Sequence, residues 1–198
     1  MNKTLKKSLS ALGTLVSLFA APAHAVVAQA NIVKFSQPNL ISVNKGDTFT
    51  VDLIGTDFDT GPDGAAFSLT WNPSVLSYVK TAIANPPWDT FSVTDTSNAL
   101  GQIDYVFLGK SVGDAGTNFA IASFTFNVLG NSGSATTLAL SNDPFDVGFV
   151  APGAASIAVN YVNSQVQVVP VPAAVWLFGS ALVGMFAMKR TCLVSAAI

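Results

Sequence analysis

This 198-residue chain contains one histidine, one cysteine, one arginine and no glutamate. Each scarcity removes a chemistry. His24 lies in the first 25 residues, and Arg190 and Cys192 lie in the last nine. The roughly 140 residues between the ends therefore offer neither an imidazole base nor a thiol nucleophile. They cannot be stapled by disulfides, so a fold there must stand on its hydrophobic core. A segment of that length suits one domain. Four lysines (Lys34, Lys45, Lys80 and Lys110) face eleven acidic residues, all of them Asp, which leaves the body at −7. Without arginine and with so few lysines, it is poorly matched to the phosphates of nucleic acid. Charge alone will not hold it to acidic polymers unless Ca²⁺ bridges them.

The N-terminus has the three parts of a secretory signal peptide. Lys3, Lys6 and Lys7 form a basic stretch, Ala11 to Ala21 an apolar run too short to span a membrane unaided, and Ala23-His24-Ala25 a small-x-small cleavage pattern. Residues 1–25 are thus expected to be removed by signal peptidase, with Ala23 and Ala25 as the recognition positions.

Between the ends the hydrophobic period is two. "DTFTVDLIG" sets Phe49, Val51 and Leu53 against Thr48, Thr50 and Asp52. "AAFSLTWNP" aligns Phe67, Leu69 and Trp71, and "GQIDYVFLG" aligns Ile103, Tyr105 and Phe107. "NFAIASFTFNVLG" gives Phe119, Ile121, Phe124, Phe126 and Val128, with a phase slip near Ala122 that marks a bulge. Two or three further strands follow in "ATTLALS" and "ASIAVNYVNSQVQVV". Turn clusters "NKGD", "TGPDG", "GNSGS" and "APGA" punctuate them. The pattern predicts eight or nine half-buried antiparallel strands in a two-sheet sandwich over residues 26–168, without a helix.

Four segments in order, "VNKGDTFTVDLIG", "GAAFSLTWNPSVLSYVK", "GQIDYVFLG" and "NFAIASFTFNVLG", resemble a cohesin domain. The resemblance spans most of Val33 to Val168. It implies a jelly-roll-like sandwich related in shape to carbohydrate-binding modules. A dockerin partner does not follow from it, since fold does not determine function. Independently of it, Asn72-Pro73 must end a strand, because proline donates no ladder hydrogen bond. Val75, Leu76 and Tyr78 then start a new edge against the core.

Several residues invite a chemical reading. Ser77 and Lys80 match S-x-x-K, but strand residues three apart face opposite sides, and Ser/Lys catalysis needs one face. Asp57 and Asp59 could flank a glycosidic bond only if a cleft held one of them protonated. Asp57, Asp59 and Asp63 in "DFDTGPDG" supply oxygen ligands of the kind Ca²⁺ takes, or a solvated acidic turn. The D-x-D start resembles a calcium loop, while the later spacing and the missing closing Glu depart from it. A second acidic stretch, Asn142-Asp143-Pro144 with Asp146 beyond, is a weaker version of the same idea. Trp88, after Pro86-Pro87, could stack on a sugar if exposed, whereas Trp71 belongs to the core by its phase. An enzyme is not expected.

The C-terminal "VPVPAAVWLFGSALVGMFAMKR" has its own logic. Val171 to Met188 is 18 residues without charge. As a helix it would measure about 27 Å, barely enough for a hydrocarbon core of about 30 Å. Lys189 and Arg190 then stop translocation with the charges inside. Pro170 and Pro172 keep the segment before the helix extended, which suits a membrane protease that must thread the backbone. These residues resemble the PEP-CTERM sorting signal of Gram-negative bacteria, which implies recognition and removal of the helix by an exosortase. Val171 stands where the usual motif has Glu, and "TCLVSAAI" (residues 191–198) extends as a cytoplasmic tail past the basic pair. Together the two resemblances imply a non-catalytic exported protein, transiently anchored in the inner membrane and then delivered to the cell surface or extracellular matrix. There it would bind polysaccharide or another surface protein, and a carbohydrate-binding module is the alternative reading.

Overall fold

The computed structural model describes residues 31–170. The signal-peptide positions Ala23 and Ala25, together with Pro172, the apolar segment, Lys189 and Arg190, lie outside the described residues. Within them no helix occurs, and thirteen strands form two sheets. In chain order they are β1 (Ile32–Phe35), β2 (Leu40–Val43), β3 (Thr48–Thr56), β4 (Gly64–Thr70), β5 (Leu76–Ile83), β6 (Thr90–Ser97) and β7 (Gln102–Gly109). Then come β8 (Phe119–Val128), β9 (Ala135–Asn142), β10 (Phe149–Ala151), β11 (Ala155–Ile157), β12 (Asn160–Val162) and β13 (Ser164–Val168). The count exceeds the expected eight or nine because five of these strands have only three or four residues, too short to show alternation.

One sheet runs β12-β1-β3-β8-β5. The other runs β2-β13-β9-β4-β7-β6, with the β10–β11 hairpin sharing one edge of β4 with β9. Most pairs are antiparallel, but β1–β12 and β2–β13 are parallel. The alternating residues meet between the sheets: Val51, Leu53, Phe124 and Phe126 from one side, Phe67, Leu69, Val106 and Leu138 from the other, each essentially without exposure. Burying side chains of this size contributes about 1.5–3 kcal/mol apiece, and these set the fold in place of disulfides.

The phase slip near Ala122 is a bulge. Leu53 pairs with Ala122 and Ile54 with Ala120, so Ile121 is extra, and Ile121 and Ala122 are both buried.

The "WNPSVL" element turns the chain from one sheet to the other. Trp71 donates its indole N–H to Leu76 O at 3.1 Å, and Asn72 O accepts from the amides of Val75 and Leu76. Asn72 Oδ1 also receives the Ser74 amide and hydroxyl. Asn72 thus satisfies the amides beyond Pro73, its side chain taking that of Ser74 and its carbonyl those of Val75 and Leu76.

Candidate functional site

The structure does not bring the three candidate calcium ligands together. Phe58 plugs into the core while Asp57 and Asp59 on either side of it point to solvent. Asp63 is spliced into the fold by its backbone, its amide donating to Val150 O and its carbonyl accepting from Lys110 N. Among the described residues no three acidic, His or Cys side chains converge on a common point. Asp57 and Asp59 on this open loop also lack the cleft that a pair of glycosidase carboxylates needs.

Trp88 is buried rather than exposed. Its exposure is 0 %, its Nε1–H donates to Ala120 O at 3.0 Å, and its ring meets Phe119 edge-on at 5.7 Å. No face of the indole is left for a sugar. Sequence reasoning placed it in a loop and could not see that the loop folds inward.

Ser77 and Lys80 differ from expectation as well. A bulge at Val79 pairs Ser77 with Asn127 and Lys80 with Thr125, two residues on the same outer face of β8. Both side chains therefore share that face, but no hydrogen bond joins them among the described residues, and the arrangement lacks an activated nucleophile.

The most distinctive surface lies elsewhere. The sequence alternation of β7 puts Tyr105 and Phe107 inside with Ile103. Instead, two residues of β7, Asp104 and Tyr105, face the single Ser68 of β4, which shifts the register between Phe67 and Leu69. Ser68 Oγ donates to Asp104 O at 2.6 Å and Gln102 Nε2 to Asp104 Oδ2 at 2.7 Å, so the bulge is hydrogen-bonded. Its effect is to flip the alternation. Val106 and Leu108 are buried, and Tyr105 and Phe107 stand on the outer face.

There the two rings lie nearly parallel, 6.3 Å apart with an interplanar angle of 10°. Phe145, 76 % exposed, folds over from the β9–β10 loop and meets Tyr105 edge-on at 5.9 Å. Aromatic pairs in these geometries stabilise one another by about 0.5–1.5 kcal/mol. Around them the sheet presents Ser92, Thr94 and Ser141, with the Asp104 carboxylate held by Gln102 beside Tyr105.

Asp143 holds the loop that carries Phe145. The residue is only 4 % exposed, and its carboxylate accepts from the amides of Phe145 (3.0 Å), Val147 (2.8 Å) and Gly148 (3.2 Å), while its carbonyl accepts from Asp146 N. Asp143→Ala strips three amides of a charged acceptor. The expected loss is roughly 2–4 kcal/mol, read as a melting point lower by roughly 6–15 °C. Asp143→Asn, which keeps one oxygen for Val147 and Gly148, should lose less in the same calorimetric comparison.

With this geometry in view, solved structures of known proteins can be set beside it. The sixth cohesin of scaffoldin B from Acetivibrio cellulolyticus, in complex with a Cel5 dockerin, superposes with a TM-score of 0.57 at 17% identity, over 71% of this chain and 99% of that one. The OlpC cohesin of Clostridium thermocellum, in a type I cohesin–dockerin complex, gives 0.57 at 13% identity over 73% and 96%. This chain has the cohesin fold. A non-cellulosomal cohesin from the archaeon Archaeoglobus fulgidus gives 0.53 at 14% identity over 73% and 95%. No protein-family model matches the chain, and no curated protein matches it in sequence. The likeness therefore extends to the whole sandwich and carries fold alone.

Proposed function

We propose that this chain is an exported, non-catalytic protein-interaction module of the cell surface or extracellular matrix, and that it docks its partner on the outer face of β4, β7 and β9. The observation that carries this reading is the Tyr105–Phe107–Phe145 cluster. A bulge turns two aromatic rings out of the core at a cost in buried apolar area, and a separately braced loop adds a third. Aromatic anchors on a rigid surface are what protein interfaces concentrate at their centres. The partner is accordingly a protein with an apolar contact face. Cohesin-fold neighbours solved with a dockerin support a protein partner in general.

For delivery we propose processing by signal peptidase at Ala23 and Ala25 and by an exosortase at the Pro170-x-Pro172 motif, with Lys189 and Arg190 as the membrane stop. The fold supports this economy of chain. Val168 N donates to Ser134 O and Val169 N to Val43 O, so the sheet ends one residue before exposed Pro170. The last strand is held in its sheet as far as Val169, so the first stretch of C-terminal chain that a protease could thread begins at Pro170.

Two measurements test the reading. Intact mass of the protein from its native host should show a new C-terminus at or beyond Pro170, in material outside the inner membrane. A chain running through Ile198 and found only in membranes would remove the sorting proposal. For docking, a photo-crosslinking amino acid at Tyr105 should give one discrete protein adduct at the cell surface, and the same group at Thr50 on the opposite sheet should give none. Adducts that are equal at both positions would discard the aromatic face.

A further inference from the structure

A concave site lies on the other side of the loop that presents Phe145. The two sheets splay apart where β9 and the β10–β11 hairpin face β12, leaving a cavity of about 550 Å³. The register makes its lining unusual. Asn142 pairs with Phe67 and Tyr161 with Val33, both core residues, so Asn142 and Tyr161 occupy inward-facing positions where alternation calls for apolar side chains. Departures from the binary pattern of this kind concentrate at functional sites.

The two side chains bridge the sheets. Tyr161 Oη donates to Asn142 Oδ1 at 2.9 Å, and Asn142 Nδ2 donates to Asp146 Oδ1 at 2.6 Å. Burial, and after it the carboxylates of Asp143 and Asp146, raise the Tyr161 hydroxyl above the usual tyrosine range, so it stays a donor. Asp146 reaches its place through a left-handed backbone (φ 55°). The next turn uses Gly148 (φ 61°), where a Cβ would press on Asn142 Oδ1 at 3.3 Å. The relay is therefore assembled before any ligand arrives.

What remains unused decides the ligand class. The second oxygen of Asp146 and the lone pairs of Tyr161 Oη can accept hydrogen bonds. The second N–H of Asn142 can donate. Leu140, Ile157 and Val159 form the apolar wall, and no lysine or arginine lines the cavity. Anions are disfavoured by Asp146 and by the absence of a cation. Adjacent donors and acceptors next to an apolar wall match a ring whose hydroxyls each donate and accept while its C–H face is apolar. The volume is that of a small-ligand pocket.

We infer that the cavity between Asn142, Asp146 and Tyr161 is a binding site for a neutral pyranose unit, with a vicinal hydroxyl pair on Asp146 and Asn142 and the ring against Ile157 and Val159. The site is separate from the aromatic docking face and does not rest on it.

The test is calorimetric titration of the full-length chain, held in a non-glycosidic detergent, with methyl glycosides of mannose, galactose and glucose and with glucuronate as the anionic probe. At least one neutral glycoside should bind saturably, and glucuronate should bind at least ~10-fold more weakly. Asp146→Ala and Asn142→Ala should each weaken the neutral glycoside by ~10- to 100-fold, as expected for a lost hydrogen bond to a charged or relay group. Both replace exposed side chains, and unchanged melting points will show that they fold. Val112→Ser, in a distant exposed loop, should bind as wild type. The proposal is overturned if none of the three neutral glycosides saturates, if glucuronate binds as well as they do, or if both variants bind like wild type.

Discussion

Replacing Trp88 with alanine should cost this domain about 3–5 kcal/mol, the range for deleting a large aromatic from a packed core. The ring has no exposure and lies edge-on to Phe119, which itself meets Phe58 at 4.9 Å and Phe149 at 6.5 Å. Its loss opens a cavity at the hub of that cluster. It also leaves Ala120 O without the indole N–H, a further cost of about 1 kcal/mol. Against a total stability of about 5–15 kcal/mol, the variant should sit near the edge of folding. Trp88→Phe keeps most of the apolar volume and loses the hydrogen bond, so its cost should be clearly smaller. Urea unfolding of the three proteins, with equal m-values, is the appropriate measurement. A Trp88→Ala midpoint equal to wild type would mean that the indole is not a core residue, and sugar stacking through it would return as a reading.

Tyr105→Ala combined with Phe145→Ala should behave in the opposite way, abolishing partner capture while sparing the fold. A buried aromatic hot spot costs about 2 kcal/mol or more when truncated, so losing one should weaken binding by at least ~30-fold and losing both by up to ~1000-fold. Phe145 is 76 % exposed, and its removal should change stability by no more than about 0.5 kcal/mol. Tyr105 is half-buried between Phe107 and Phe145 and will contribute somewhat more. The comparison is made with the partner identified by crosslinking at Tyr105, in a direct binding titration. Full affinity in the double variant would show that the aromatic face is a packing device, with its rings covering the Asp104 bulge rather than meeting a partner. The two substitution sets form a useful pair, because one predicts loss of folding without a surface effect and the other a surface effect without loss of folding.

Much of the architecture was determined by local pattern. Alternation at period two needs only the pleat, so Phe49, Val51 and Leu53, or Phe67, Leu69 and Trp71, declare their inner face without knowledge of any partner strand. The corner at Asn72-Pro73 follows from a missing N–H, and the slip near Ala122 is visible as two adjacent buried-type residues. The all-β class, the order of the long strands and the absence of a thiol or imidazole chemistry in the body were legible for these reasons. Tertiary structure decided the rest. The phase of Tyr105 and Phe107 depends on an extra residue opposite Ser68, a property of the pairing and not of β7. Whether Trp88 faces water depends on where the loop before β6 meets Phe119 and Ala120. Asp57, Asp59 and Asp63 are near in sequence, yet Phe58 in the core and the backbone bonds of Asp63 keep them from converging. Asn142 and Tyr161 are 19 residues apart and belong to different sheets. Only the packing of one sheet on the other brings them together, because cross-sheet contacts are set by the shape of the core and leave no local trace in the chain.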